Sequence, residues 1–414
     1  MTEKRTLGNG IRIVFEYIPY VRSVSLGVWI GCGSRHERAS ENGMAHFLEH
    51  MIFKGTETQS AADLAALTDR LGGGINAYTA KDCTCLYGRV LDTNLVPLVD
   101  MFGDMLMHSL FRECDVESER NVIFDEMHLA GDTPDDLVYE RLVAGIYKGS
   151  SLGRPILGSR KTLDRVTGEG LRDFLKNHYD PHKIVIAVSG SFTAADIDHI
   201  ESVFSQFEGR GTSYKSAEYK PYFTAKRRKL EQNHLILAFP GIVSTDERKY
   251  AYSLMSNILG GNTSSRLFQS VRERNGLCYT VYSITSGLPD TGVFGIYAAL
   301  SEDSEVRALS LITEEIEKVK NGDITQAELD LSIEQYKSNL LMSLESTGSR
   351  MNMLGHDELF YDRVITHDEI VSRYESVTLD DIAAIANAVF VPEKISFSAI
   401  GRVKTAEEYR DMLR

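Results

Sequence analysis

One pattern occurs twice in this chain. Asn177-His178-Tyr179-Asp180-Pro181-His182-Lys183-Ile184, running on to Gly190, returns as Asn387-Ala388-Val389-Phe390-Val391-Pro392-Glu393-Lys394-Ile395, running on to Gly401. Pro, Lys, Ile and Gly recur at one constant spacing of 211 residues. Upstream of each copy, Thr162-Leu163-Asp164 and Thr378-Leu379-Asp380 read as helix caps. A strand-then-helix order is also shared, His234 to Phe239 being followed by a helical stretch from Asp246 to Leu259. The chain is therefore expected to form two similar α+β domains, each a mainly antiparallel sheet packed with helices. Residues 209–228, GRGTSYKSAEYKPYFTAKRR, lack periodicity and read as a linker. The expected division is 1–208, linker 209–228, and 229–414, and 414 residues suffice for two such cores.

The first half alternates sheet and helix signals. Gly8-Asn9-Gly10 is a turn between two strands, and Val24, Leu26, Val28 and Ile30 alternate with Ser23, Ser25, Gly27 and Trp29 as one apolar strand face. Helical patterns cover Asn42 to Lys54 and Ala61 to Leu71, and the second stops at Gly72-Gly73-Gly74. Strands resume at Ile75 to Thr79 and Cys83 to Leu91, followed by helical stretches at Leu95 to His108, Val116 to Ala130 and Asp135 to Tyr147.

Charge and composition remove several classes. Lys and Arg number 45 against 59 Asp and Glu, a formal charge of −14, which opposes nucleic-acid binding. No signal-like h-region opens the chain and no apolar run is long enough to span a bilayer, so the expectation is no membrane and a cytoplasmic location. Five scattered cysteines argue against a disulfide framework, and Cys83 and Cys85 read as core packing.

His46-Phe47-Leu48-Glu49-His50 falls inside a helical stretch, which places His46 and His50 four residues apart on one face, where both imidazoles can hold one metal ion. Glu49, three residues from His46, can reach a water on that ion. This H-x-x-E-H order inverts the commoner zinc-protease motif. A catalytic zinc takes three protein ligands and keeps one position open, so a third ligand is needed. Glu119 and Glu126, seven apart on one helix, are candidates, one as ligand and the other as support, and spacing alone does not choose between them.

With Glu126 standing 76 residues after His50, the chain resembles the pitrilysin-type inverted-zincin metallopeptidases, in the branch of mitochondrial processing peptidase and its bacterial relatives. The resemblance includes Gly33-Ser34-Arg35, Phe53-Lys54-Gly55-Thr56, Asn76-Ala77-Tyr78-Thr79 and Ser264-Ser265-Arg266-Leu267-Phe268. It implies Zn²⁺ held by His46, His50 and Glu126, Glu49 as general base, and Glu119 in support. It also implies that Asn76, Ala77, Tyr78 and Thr79 form an edge strand that pairs with a peptide backbone. Arg272 and Tyr279 would hold the substrate carbonyl and the developing oxyanion, although by pattern alone they read as a surface cation and half-buried strand filling. The family builds a clamshell of four such domains and this chain supplies two, which implies a homodimer, or a heterodimer with a related subunit, around a chamber for extended or unfolded peptides. The negative charge favours basic ones. The rival readings are a non-catalytic structural subunit and a substrate-binding subunit of a heteromeric processing peptidase.

Overall fold

The computed structural model describes residues 2–413. It contains two sheets, each in its own compact unit. The first sheet has strands β1 (Thr2–Thr6), β2 (Arg12–Tyr17), β3 (Ser23–Ile30), β4 (Gly74–Thr79), β5 (Thr84–Leu91) and β6 (Ile184–Gly190), in the order β1-β2-β6-β3-β5-β4. The second has β7 (Phe223–Arg227), β8 (Asn233–Pro240), β9 (Cys278–Gly287), β10 (Gly292–Leu300) and β11 (Ser396–Gly401), in the order β7-β11-β8-β10-β9. The second sheet repeats five strands of the first: β2-β6-β3-β5-β4 corresponds to β7-β11-β8-β10-β9. In each, one pair is parallel, β2 with β6 and β7 with β11, and the register matches, Tyr17 opposite Gly190 and Arg227 opposite Gly401. The two similar α+β domains expected from the repeat are present.

Strand alternation explains how each sheet is covered on both faces. Val24, Leu26, Val28 and Ile30 of β3 enter the main core of the first unit, with Leu86 of β5 and Ile186 and Val188 of β6. Trp29, Cys85, Val185 and Ala187 point the other way, against Met351 and Leu354 of the helix Thr347–Tyr361. In the second unit Leu235, Leu237 and Phe239 face the main core, while Ile236, Ala238, Val293, Tyr297 and Ile400 pack on the helix Pro134–Ile146 through Val138, Leu142 and Ile146.

The covering helices therefore correct the expected boundaries. The compact units are Met1–His128 with Arg154–Lys215 and Leu341–Ile365, and Leu129–Gly153 with Ser216–Leu340 and Thr366–Arg414. Each half of the chain lends a helix to the other half's sheet, because the sheet's second apolar face, and not chain order, decides where an amphipathic helix lodges. The linker is also shorter than 209–228. Phe223–Arg227 is strand β7, whose Phe223 is buried beside Phe397 of β11.

Candidate metal centre

The helix Met44–Met51 is anchored by Met44, Ala45, Phe47, Leu48 and Met51, all buried, which leaves His46, Glu49 and His50 on its remaining stripe. Its N-terminus is held by Glu37, whose carboxylate accepts the Gly43 and Ala45 N–H groups at 3.0 and 2.9 Å and the Asn42 amide at 3.0 Å. A carboxylate there satisfies orphan donors and complements the helix dipole. Glu37 carries no motif that pattern reading would single out.

Facing it is the helix Glu113–Asp132, seated by Val116, Ile123 and Phe124. Nε2 of His46 and Nε2 of His50 lie 3.3 Å apart, and a carboxylate oxygen of Glu126 stands 3.7 Å from the first and 3.5 Å from the second. Ligands about 2.1 Å from one tetrahedral ion are separated by roughly 3.4 Å, so these three atoms form one triangular face of such a site. Among the described residues no other group of three His, Cys, Asp or Glu side chains is placed to hold a metal ion. The donor set, two imidazoles and a carboxylate, suits zinc.

Electrostatics around the triangle agree with that use. Burial, with His50 nearby, holds the His46 imidazole down to about 4, so it is neutral at physiological pH with a lone pair to donate. Glu119, which is 5% exposed, accepts from Nδ1 of His50 at 2.8 Å, an arrangement that fixes which ring nitrogen carries the proton. Its other oxygen lies 2.5 Å from Nζ of Lys54. Geometry thus separates the two acids that spacing leaves equivalent: Glu126 faces the Nε2 atoms and Glu119 faces the back of one ring.

Glu49 points the same way from the helix. Burial raises its carboxyl above the usual range, opposed by hydrogen bonds from Thr79. Its Oε2 is buried and has no hydrogen-bond partner among the described residues. An orphaned carboxylate oxygen beside a metal-ligand triangle is costly unless a further group meets it there.

Thr79 ends β4, the outermost strand of its sheet, so among the described residues one edge of Asn76, Ala77, Tyr78 and Thr79 has no strand beside it. Tyr78 rests edge-on against Trp29, ring centroids 6.1 Å apart. Arg272 and Tyr279 belong to the other unit, where they meet each other: the guanidinium carbon sits 4.5 Å from the Tyr279 ring centroid and 4.6 Å from that of Phe268. Tyr279 is 73% exposed, not half-buried, because β9 is also an edge strand. Arg272 lies in a π-helical turn, Phe268–Glu273. Cys83 and Cys85 are buried free thiols packed near Trp29.

Comparison with known proteins covers nearly all of the chain. Residues 12–160 match the family described as Insulinase (Peptidase family M16), and residues 165–336 match Peptidase M16 inactive domain. The uncharacterized zinc protease YmxG of Bacillus subtilis is 40% identical over 395 residues, 95% of this chain and 97% of that protein. An uncharacterized zinc protease of Streptomyces coelicolor is 38% identical over 423 residues, 98% of this chain and 91% of its own. Two crystal structures share the fold at a TM-score of 0.89. One is a protease from Helicobacter pylori, 21% identical, with 97% of this chain and 99% of that one covered. The other, from Pseudomonas fluorescens, is described as a peptidase M16 inactive domain, 20% identical, with 98% of both covered.

Proposed function

Because this chain belongs to the insulinase family, peptidase family M16, we propose that it is a zinc-dependent endopeptidase acting on extended or unfolded peptides. The observation that carries the reading is the convergence of His46, His50 and Glu126 beside the unpartnered carboxylate oxygen of Glu49. All four residues fall within the first family match, and the label inactive attaches to the second.

His46, His50 and Glu126 would hold Zn²⁺, which when bound would supply Lewis-acid polarisation of the scissile carbonyl and activation of the attacking water. Glu49 takes the proton of the attacking water and passes it to the leaving amine, a role its burial supports by raising its basicity. Thr79 hydrogen-bonds that carboxylate and so aligns it with the end of β4. The free edge of β4 pairs with the substrate main chain, which selects extended conformation over particular side chains. Arg272 and Tyr279, already stacked, donate to the developing oxyanion. The family resemblance extends the proposal to a dimer, in which the Arg272–Tyr279 pair of one subunit serves the metal centre of its partner. No helix among the described residues is long and apolar enough to cross a membrane.

The test is cleavage of a quenched extended peptide by the purified chain. Turnover should vanish with a metal chelator and return on adding Zn²⁺. Absence of cleavage by a zinc-loaded chain, or turnover indifferent to chelation, contradicts the proposal. The first result points instead to a non-catalytic subunit.

A further inference from the structure

The helix Met44–Met51 ends in a turn in which Lys54 N–H donates to the Met51 carbonyl at 3.1 Å. The carbonyl of Lys54 is held from outside by Arg112, whose Nη2 donates at 3.2 Å. So fixed, the side chain of Lys54 turns to the helix Glu113–Asp132 and reaches Oε2 of Glu119 at 2.5 Å, while Oε1 of the same carboxylate meets Nδ1 of His50 at 2.8 Å. Both oxygens of Glu119 are thus engaged, one by a cation and one by a metal-ligand ring. We propose that Lys54 is a positioning residue of the metal centre, acting through Glu119 on His50. The inference rests on the zinc reading above and adds a part to it.

The physical need is specific. Glu119 is almost fully buried, and a buried carboxylate requires a compensating charge. Lys54 provides it and, by holding Oε2, fixes the plane of the carboxylate. Oε1 is then presented to Nδ1–H of His50, and the Nε2 lone pair of that ring is turned toward His46 and Glu126. His46 has no equivalent brace among the described residues, where its Nδ1 is buried without a partner. Of the two imidazoles, only His50 is oriented from behind. Lys54 also follows the last residue of the helix bearing both histidines by three positions, and a cation is favoured near a helix C-terminus. Lys54 is 37% exposed at its side chain, so replacing it opens no core cavity.

The experiment measures the Zn²⁺ dissociation constant by competition with a chromophoric chelator. It compares the wild type, Lys54→Met and Lys54→Arg, and repeats Lys54→Met in a Glu119→Gln background. Lys54→Met should weaken zinc binding at least ~10-fold, the scale of losing an outer partner of a metal-bound histidine. Lys54→Arg, which keeps a cation, should recover most of the loss, and KM for peptide in the zinc-saturated protein should not move. In the Glu119→Gln background Lys54→Met should add less than about twofold, because its route to His50 is already cut. Should Lys54→Met fail to fold, Lys54→Gln replaces it in both backgrounds. Wild-type zinc affinity in the Lys54→Met protein, or an undiminished loss in the Glu119→Gln background, overturns the inference while leaving the metal centre standing. A wild-type chain that takes up no zinc overturns the zinc reading itself, and this inference with it.

Discussion

Gly190 and Gly401 hold equivalent places in the two sheets. Each ends a strand beside its parallel partner, with φ of +131° and +137°. Neither site has room for a side chain: a Cβ would lie 2.2 Å from the Ser23 carbonyl oxygen at Gly190 and 2.2 Å from Oδ1 of Asn233 at Gly401. Asn233 cannot withdraw freely, since it accepts from Arg402 N–H at 2.6 Å and donates to buried Glu305 at 2.9 Å. Backbone strain and overlap together predict that Gly190→Ala and Gly401→Ala each cost about 2–4 kcal/mol. Urea unfolding measures this, and a change under about 0.5 kcal/mol at either position refutes the equivalence as a steric requirement.

Glu49→Gln removes the proton acceptor and leaves both imidazoles and Glu126 in place. The variant should bind zinc normally while kcat falls at least ~10²-fold with little change in KM. Steady-state kinetics on the zinc-loaded protein decide it, and near-normal turnover removes Glu49 from the mechanism.

In the second unit Arg266 makes a two-pronged ion pair with Glu328, at 2.7 and 2.8 Å. Burial opposes ionisation of Glu328, but hydrogen bonds from Arg266 and Thr325 outweigh it and lower the carboxyl from 4.5 to about 2. A depressed folded-state value means that this stabilisation is complete above about pH 4.5 and is lost as pH falls toward about 2. Thermal melts between those pH values should show a steeper decline for the wild type than for Arg266→Met. Parallel profiles would assign no such role to the pair.

The proposed shared-site dimer makes a complementation prediction. Glu49→Gln and the double variant Arg272→Ala, Tyr279→Phe should each be nearly inactive. Mixed under subunit exchange, they should regain activity, because the heterodimer contains one intact metal centre served by one intact Arg-Tyr pair. Heterodimers detected by native mass spectrometry without any recovered turnover reject the shared arrangement.

How far the chain could be read before folding depended on how local each feature is. His46 and His50 were legible because helical periodicity alone puts them on one face, and the exact span Ala61–Leu71 was legible because Ser60 and Gly72 cap it. The choice between Glu119 and Glu126 was not, since both lie on the same face and only packing against the histidine helix tells them apart. Lys54 stands four residues after His50, a spacing that hints at a shared face, but its contact depends on a helix some sixty residues downstream. The helix Pro134–Ile146 was legible as the helical stretch Asp135 to Tyr147, whereas Thr347–Tyr361 was not among the sequence expectations, and nothing in an apolar stripe names the sheet it will cover. Tyr279 was misjudged for a related reason, as strand periodicity does not reveal which strand lies at an edge.

The central claim is that one zinc ion is held by His46, His50 and Glu126. Its most direct test is the zinc content of the purified chain beside that of the double variant His50→Ala, Glu126→Ala. About one Zn²⁺ per wild-type chain and none in the double variant is the predicted result, as a single three-ligand site requires. Stoichiometric zinc retained by the double variant would contradict it.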